Sequence, residues 1–213
     1  MTRQNRSSAV MAQRKEPHDS LDDFPTPPWA VRALLERQKM RGIIWEPAAN
    51  RGFMERTLVE SGAQVVGSDV HDYGYGYPVH DFLFPSPTGA LPTPGRPDWV
   101  VTNPPFRLSA AFAVRAFEVA TTGTALLTRL QWLEGGERYK HVFSPCPPAE
   151  ILLFSERVAM VKGKLDPKAS SATAYAWVVW EAPYRRPRVP ELRWIPPGTK
   201  ARLQRPDDAT LPT

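Results

Sequence analysis

The feature that most constrains the fold of this chain is an alternation of short apolar runs, small-residue loops and helical patterns. Residues 42–46 form an apolar run, residues 47–52 form a loop of mostly small residues, and residues 53–59 have helical spacing. A second apolar run follows at residues 64–69. This succession is typical of βα units, whose strands lie side by side in a parallel sheet. The sequence therefore predicts an α/β fold.

Five further segments have the composition of strands, which brings the expected sheet to seven strands, mostly parallel and flanked by helices. They lie at residues 79–84, 98–101, 124–130, 150–154 and 174–180. The first of these is short enough to form either a strand or a turn. A helical pattern covers residues 109–121, between two of the predicted strands.

A chain of 213 residues is long enough for one such domain with a sizeable core, and short for two. We expect the domain to span residues 21–182. Residues 1–20 are polar, and we expect them to form a flexible arm. Residues 183–213 are rich in proline and arginine with little periodicity, which predicts an extended tail.

The composition is that of an ordinary globular protein, with 42% hydrophobic and 23% charged residues. The formal charge of +5 suits a polyanionic partner, although many basic proteins bind no nucleic acid. Cys146 is the only cysteine, so a disulfide within the chain and a cysteine-built metal site are both excluded. No apolar run approaches the length of a membrane span, and the amino terminus does not have the pattern of a signal peptide. We therefore expect a cytoplasmic protein without a metal or a membrane partner.

The loop after the first predicted strand has the composition of a nucleotide-cofactor site. Glu46 ends the strand, and small side chains between Pro47 and Gly52 let the backbone approach a ligand closely. The loop has neither the spacing of the dinucleotide fingerprint nor a Walker lysine, so NAD and ATP are not the expected ligands. Asp69 ends the second strand, at about the distance at which Rossmann-type folds place an acid on a ribose. An acid there can also cap a turn, but two strand-ending acids favour a cofactor.

The segment Asn103-Pro104-Pro105-Phe106 follows the strand predicted at residues 98–101 and precedes the helix at residues 109–121. Open α/β sheets bind their ligands in such loops, at the carboxyl ends of strands. The two prolines stiffen the loop and cannot donate backbone hydrogen bonds. Asn103 adds a carboxamide acceptor and Phe106 adds a flat apolar face. An amino group on a planar ring could use both. The alternative is a proline-rich turn after the strand, with Phe106 packed into the core.

Together these segments resemble the S-adenosylmethionine-dependent methyltransferases that modify amino groups, in particular the N6-adenine DNA methyltransferases. The resemblance covers roughly residues 22–181 and implies a single Rossmann-like class I methyltransferase domain. The cofactor-binding residues that it implies are Phe24, Pro25, Thr26, Pro27, Glu46, Pro47, Ala48, Asn50, Gly52, Asp69, Asp81 and Phe82. Of these, Glu46 and the following loop would hold the methionine part, Asp69 the ribose, and Asp81 with Phe82 the adenine ring of the cofactor. The implied catalytic residues are Asn103, Pro104, Pro105 and Phe106.

The resemblance also implies a mechanism without metal or nucleophilic side chain. The carboxamide oxygen of Asn103 and the carbonyl of Pro104 would accept the two hydrogens of the exocyclic amine. The nitrogen lone pair would then face the sulfonium methyl for direct in-line transfer. A base in a duplex would first flip out and stack on Phe106.

The sequence departs from the family at two points. Asn50 stands where the family has the first glycine of the cofactor loop; because Asn visits the left-handed region more readily than most residues, we expect the turn to survive. No block of the chain is large enough to resemble a separate target-recognition domain. Contact with a polyanion would then fall to Arg107 beside the catalytic loop and to Lys162, Lys164 and Lys168 in a later basic loop.

Three other functions stay open at this point. Similar loops occur in RNA-adenine and protein-glutamine methyltransferases, because all three substrates present an amino group on planar carbon. A nucleic-acid-binding protein that has lost catalysis is a further alternative, with Asn50 marking a damaged cofactor loop.

The loop at residues 72–78, rich in glycine and tyrosine, fits either a stacking surface for bases or a turn with solvent-facing side chains.

Overall fold

The computed structural model describes residues 22–84, 90–185 and 188–210, so the predicted arm at residues 1–20 lies outside the described part. Seven strands form one sheet in the order β2-β1-β3-β4-β6-β5-β7. The strands are β1 (Ile43–Glu46), β2 (Gln64–Gly67), β3 (Trp99–Thr102), β4 (Gly123–Arg129), β5 (Glu150–Phe154), β6 (Tyr175–Glu181) and β7 (Glu191–Ile195). The helices are α1 (Pro28–Leu35), α2 (Phe53–Leu58), α3 (Ser109–Val119), α4 (Gly136–Arg138) and α5 (Thr199–Leu203).

The sheet is mostly parallel, as the sequence predicts. Strand β1 pairs in parallel with β2 on one side and with β3 on the other, and β3 pairs in parallel with β4. Strand β6 is antiparallel to both β4 and β5, and β7 pairs in parallel with β5. Because the chain leaves β1 for β2 and later returns to its other side as β3, the strand order reverses at β1. This reversal point is where open α/β sheets form a ligand crevice.

Both faces of the central strands β1, β3, β4 and β6 are buried, which explains why these strands are continuous apolar runs. Successive residues of one strand enter different hydrophobic clusters: Ile44 packs with α1 and α2, while Trp45 packs with α3. Two of the buried indole nitrogens bind groups in neighbouring elements. The Nε1 of Trp45 donates to Ser68 Oγ at 2.9 Å, and the Nε1 of Trp177 donates to the Ala30 carbonyl at 2.9 Å. Helices on both faces thus fix the strand ends that carry the site.

Two predicted segments differ from the structure. Residues 79–84, expected as a strand or a turn, contain no strand, and their single bridge joins Val79 to Asp69. The expected extended tail beyond residue 182 instead contains β7, which pairs with β5 over its whole length, and helix α5. The seventh strand is therefore β7 and not the segment at residues 79–84. Pairing to a neighbouring strand stabilises β7 without the burial of side chains that makes a strand visible in a sequence.

The segment around Asp208 is held against helix α1 by an ion pair with little exposure to solvent. Arg32 donates to both carboxylate oxygens of Asp208, at 3.0 and 2.8 Å, and also binds Glu60. The Arg32 side chain is 9% exposed and the Asp208 side chain is 4% exposed. Charge-assisted hydrogen bonds of this kind contribute more than neutral ones because both partners are ionised. The last described residues therefore belong to the same packed unit as the sheet.

Replacement of Asp208 by alanine tests this attachment. We expect Asp208→Ala to lower the free energy of unfolding by about 2 kcal/mol, since it removes hydrogen bonds to a charged group and leaves Arg32 partly unpaired. Chemical denaturation measures the change. Asp207→Ala is the matched control: Asp207 is exposed, so this variant should lose less than about 0.5 kcal/mol. Equal stability of the two variants would show that the segment does not stabilise the domain.

Candidate active site

A cavity of about 960 Å³, open solvent at its mouth included, lies where the carboxyl ends of β1, β2 and β3 meet. It forms at the point where the strand order reverses, as the fold predicts. The predicted cofactor residues that line it are Phe24, Pro25, Thr26, Glu46, Pro47, Ala48, Asn50, Asp69, Asp81 and Phe82. Pro27 and Gly52 are not among the residues that line it. Residues from segments far apart in the sequence are thus brought to one cavity.

The turn after β1 adopts the left-handed conformation that the sequence predicts. Asn50 has φ +54° and is the non-glycine residue with positive φ in the described chain, so the prediction for this position is confirmed. Gly52 has φ +78°, and a Cβ there would lie 1.9 Å from the hydroxyl oxygen of Tyr77. Tyr77 packs over the turn and lies within 3.3 Å of Glu55 through its hydroxyl. Gly52 therefore shapes the loop and makes room for Tyr77, although it does not line the cavity.

Glu46 carries a buried carboxyl group at the end of β1. The residue is 2% exposed, and its Oε2 has no hydrogen-bond partner among the described residues. Burial raises the pKa of this carboxyl well above its usual value, and the nearby charges of Glu55 and Asp69 raise it further. A buried acceptor without a partner is costly unless a ligand satisfies it. The site is therefore suited to a ligand that brings a positively charged donor.

Asp69 lies after the end of β2 and is 8% exposed. Its carboxylate accepts hydrogen bonds from the backbone of Asn50 at 2.9 Å and of His71 at 3.0 Å. Burial raises the pKa of Asp69 despite these bonds, which favour its ionised form. The residue thus caps the turn and also lines the cavity. A carboxylate has about four acceptor positions, so two backbone bonds leave capacity for a diol.

Asp81 and Phe82 lie on the far wall of the cavity. Asp81 accepts hydrogen bonds from the backbone of Leu83 at 2.9 Å and of Phe84 at 3.2 Å, and so caps its own turn. Phe82 is 2% exposed and packs edge-on against Trp45 with ring centroids 4.9 Å apart. One side of this pair supports the core while the other lines the cavity. A turn fixed in this way, rather than a strand, presents the two side chains.

Asn103 is the most informative side chain in the predicted catalytic loop. Its Nδ2 donates to the carbonyl of Phe24 at 3.1 Å and contacts the sulfur of Met160 at 3.5 Å. These contacts fix the plane of the carboxamide. The other end, Oδ1, is buried and has no partner among the described residues. Asn103 thus presents an oriented acceptor beside the cavity, where Asn103 and Pro105 both lie in the lining.

The two prolines and Phe106 divide between two cavities. Pro104 and Phe106 line a second cavity of about 520 Å³, on which Thr128, Arg129 and Trp132 also lie. The backbone N–H of Leu108 donates to the carbonyl of Pro105, and the hydroxyl of Ser109 donates to that of Phe106. The carbonyl of Pro104 accepts neither of these hydrogen bonds. The loop therefore separates a cavity at the sheet reversal from one beside β4.

A segment that precedes α1 crosses the predicted catalytic loop. The carboxylate of Asp22 accepts the backbone N–H of Phe106 at 2.7 Å, and the ring of Phe24 packs against that of Phe106 with centroids 5.3 Å apart. Asp23 pairs with Arg51 of the cofactor loop at 2.5 Å, and Arg51 lies over Tyr73. Sequence reasoning missed Asp22, Asp23, Met160 and Arg129. The pair of acids directly before Phe24 was a visible signal, whereas nothing in the sequence marks Met160 or Arg129.

The predicted polyanion contacts lie on the exposed surface. Arg107, Lys162, Lys164 and Lys168 are all exposed. Lys164 lies 3.5 Å from the carboxylate of Asp166, which offsets part of its charge. The backbone N–H of Gly163 donates to the carbonyl of Asp23 at 2.8 Å. The basic loop is therefore attached to the segment that crosses the catalytic loop.

No group of three or more histidine, cysteine or acidic side chains has the arrangement of a metal site within residues 22–84, 90–185 and 188–210. Among the same residues, no helix has both the length and the apolar composition needed to cross a membrane.

Comparison with known proteins shows the fold. No protein-family model matches the sequence, and no curated protein is significantly similar to it. A predicted O-methyltransferase from Agrobacterium tumefaciens is 13% identical, with a TM-score of 0.51 over 79% of this chain and 85% of that one. An rRNA methyltransferase from Streptomyces viridochromogenes is 13% identical, with a TM-score of 0.50 over 76% of this chain and 88% of that one. A candidate hemolysin from Streptococcus thermophilus is 12% identical, with a TM-score of 0.54 over 87% of this chain and 74% of that one. The chain therefore has the Rossmann-like fold of class I methyltransferases.

Proposed function

We propose that this protein transfers a methyl group from S-adenosylmethionine to the exocyclic N6 amine of adenine in DNA. The observation that carries the proposal is the buried, unpaired Oδ1 of Asn103, held in a fixed orientation by the two contacts of Nδ2. An acceptor of this kind, next to a cavity at the sheet reversal, suits an N–H group of a planar amine. The methyltransferase fold supports the same class of reaction.

The first cavity fits S-adenosylmethionine by the chemistry of its walls. The unpaired Oε2 of Glu46 would accept a hydrogen bond from the methionine ammonium, which also relieves the cost of burying a lone carboxylate. Asp69 would accept from the ribose hydroxyls, and Asp81 with Phe82 would hold the adenine ring. When bound, the cofactor supplies an electrophilic methyl group on a sulfonium.

The residues of the catalytic loop would activate the amine. Its lone pair is spread into the ring, so it is a poor nucleophile until the nitrogen becomes more tetrahedral. Asn103 Oδ1 and the Pro104 carbonyl would accept its two hydrogens and stabilise that geometry. Positioning of this kind supplies a large part of a rate enhancement, roughly 7–11 kcal/mol for well-oriented reactants. The Asp22 contact to the backbone of Phe106 holds the loop in place.

Cofactor binding should be coupled to the protonation of Glu46. The pKa of this carboxyl is raised in the free protein, and a bound ammonium would lower it. Binding then releases a proton, so affinity should rise with pH until the raised pKa is passed and level off above it. Calorimetry at one pH, in buffers with different ionisation enthalpies, measures the number of protons released when the cofactor binds. The Glu46→Gln variant should not release this proton on binding. If it releases as many protons as the wild type, Glu46 is not part of the cofactor site.

Lys162, Lys164 and Lys168 are proposed to bind the DNA backbone. Replacing all three by glutamine should reduce the dependence of log K on log salt concentration by up to about three units, at about 0.9 per phosphate contact on duplex DNA. Affinity for S-adenosylmethionine should not change. Arg41→Gln is a charge control, because Arg41 precedes β1 at the opposite edge of the sheet. A triple variant with the wild-type salt dependence would show that this loop does not contact DNA.

Two measurements test the proposed function. Calorimetric titration with S-adenosylmethionine should give saturable binding, and its absence at millimolar cofactor would favour a protein that has lost catalysis. Transfer of a tritiated methyl group should then be measured with duplex DNA, single-stranded DNA, RNA and protein. We expect label in DNA. Label in RNA alone or in protein alone would replace the proposed substrate.

A further inference from the structure

Arg129 covers the ring that a target base would need. Its guanidinium carbon lies 3.7 Å from the centroid of the Phe106 ring. At that distance the two groups are in van der Waals contact, so no second planar ring fits between them. Phe24 packs against the same Phe106 ring at an angle of 42°. Stacking of a base on Phe106 on the covered side therefore requires Arg129 to move.

The cavity beside this contact contains polar atoms that lack partners. Thr128 Oγ1 and Trp132 Nε1 are buried and have no hydrogen-bond partner in the described chain. Both residues line the second cavity, and they are only 3% and 7% exposed. Unpaired polar atoms at this depth are costly, and a polar ligand would satisfy them. The second cavity therefore fits a planar heterocycle with hydrogen-bonding edges.

Arg129 also borders a different space. It lines an open groove of about 1,290 Å³ on the outer side of the same strand end, together with Arg157. Both arginines are exposed. One guanidinium thus lies between an inner cavity and an outer groove. Rotation of its side chain would move the positive charge from the first to the second.

We propose that Arg129 occupies the place of the target base in the free protein and leaves it for a backbone phosphate when DNA binds. This inference rests on the proposed function and adds a substrate-dependent opening to it. An exposed cation–π contact is weak, whereas an arginine–phosphate contact is charge-assisted and often bidentate. A phosphate next to the target nucleotide therefore provides the free energy that uncovers Phe106. A polynucleotide therefore opens the second cavity, whereas a free nucleoside has no phosphate and leaves Arg129 over Phe106.

The test compares two substrates that differ in phosphate. Methyl transfer to an adenine-containing DNA oligonucleotide and to deoxyadenosine is measured as kcat/KM for the wild type and for Arg129→Ala. We expect the variant to lose at least about tenfold with the oligonucleotide, because a phosphate contact is gone. We expect it to gain severalfold with the nucleoside, because Phe106 is no longer covered. Changes of opposite sign are not expected from a residue with a purely structural role.

A second variant separates the two functions of Arg129. Arg129→Lys keeps the charge but not the planar group, so it should keep the wild-type salt dependence of DNA binding and still gain with the nucleoside. In Arg129→Ala the salt dependence should decrease by about 0.9 for a duplex. Arg41→Gln is the control and should change neither the salt dependence of DNA binding nor kcat/KM with the nucleoside. Binding of S-adenosylmethionine checks that each variant is folded, and the lysine variant carries the test if the alanine variant does not fold.

The outcomes distinguish this inference from the function on which it rests. If the wild type methylates adenine in DNA but Arg129→Ala and Arg129→Lys show no gain with the nucleoside, the inference about Arg129 is wrong and the proposed function stands. If the wild type methylates no adenine in any nucleic acid, the proposed function fails and the inference fails with it. A gain with the nucleoside together with a loss with the oligonucleotide supports both.

Discussion

Asn103→Ala is expected to decrease methyl transfer by on the order of 100- to 1,000-fold while affinity for S-adenosylmethionine stays near that of the wild type. Loss of one oriented hydrogen-bonding group at a reacting centre has effects of this size. The substitution removes the carboxamide whose Nδ2 contacts the Phe24 carbonyl and the Met160 sulfur. Single-turnover transfer measures the rate, and calorimetry measures cofactor affinity.

Two further variants control this experiment. Asn103→Asp keeps an acceptor oxygen and should retain more activity than alanine. Gln38→Ala removes a carboxamide that donates to Glu150 at 2.7 Å, at the opposite edge of the sheet, and should not slow transfer. An Asn103→Ala enzyme with near-normal turnover would remove Asn103 from the mechanism.

Asp69→Ala is expected to weaken S-adenosylmethionine binding by roughly 10- to 100-fold. Hydrogen bonds to a charged group contribute about 1.5–3 kcal/mol each, and the variant would lose those to the ribose. It also loses the backbone contacts from Asn50 and His71, which hold the cofactor loop. The dissociation constant from calorimetry is the measured quantity.

Asp98→Ala is a matched control for Asp69→Ala. Asp98 also binds backbone at a strand end, accepting from Ile43 N at 2.8 Å, but at the amino-terminal edge of the sheet. Its replacement should lower stability and leave cofactor affinity unchanged. Equal affinity of Asp69→Ala and the wild type would contradict the ribose role of Asp69.

The first cavity could be predicted because its parts are local signals. Each strand end is followed directly by predicted site residues, as in Glu46 with Pro47 and Thr102 with Asn103. Parallel pairing then brings those ends to one edge of the sheet. The left-handed conformation of Asn50 could also be predicted, because it follows from a property of the residue type.

Other features depend on contacts between distant residues, which local patterns do not encode. Strand β7 is mostly exposed, and its charged residues lie among prolines, so it has no apolar pattern. The stacking of Arg129 on Phe106 depends on the register of β3 and β4, whose pairing ends at Thr102 with Leu126. Arg129 and Phe106 both lie beyond that last pair. The contact of Asp22 with the backbone of Phe106 joins residues 84 positions apart.

The position of the transferred methyl group tests the central proposal most directly. Adenine-containing DNA is incubated with the protein and methyl-labelled S-adenosylmethionine, digested to nucleosides and analysed by mass spectrometry. We expect label in N6-methyldeoxyadenosine with the wild type, and almost none with Asn103→Ala at saturating cofactor. Label on another base, on another atom of adenine or on protein alone would contradict it.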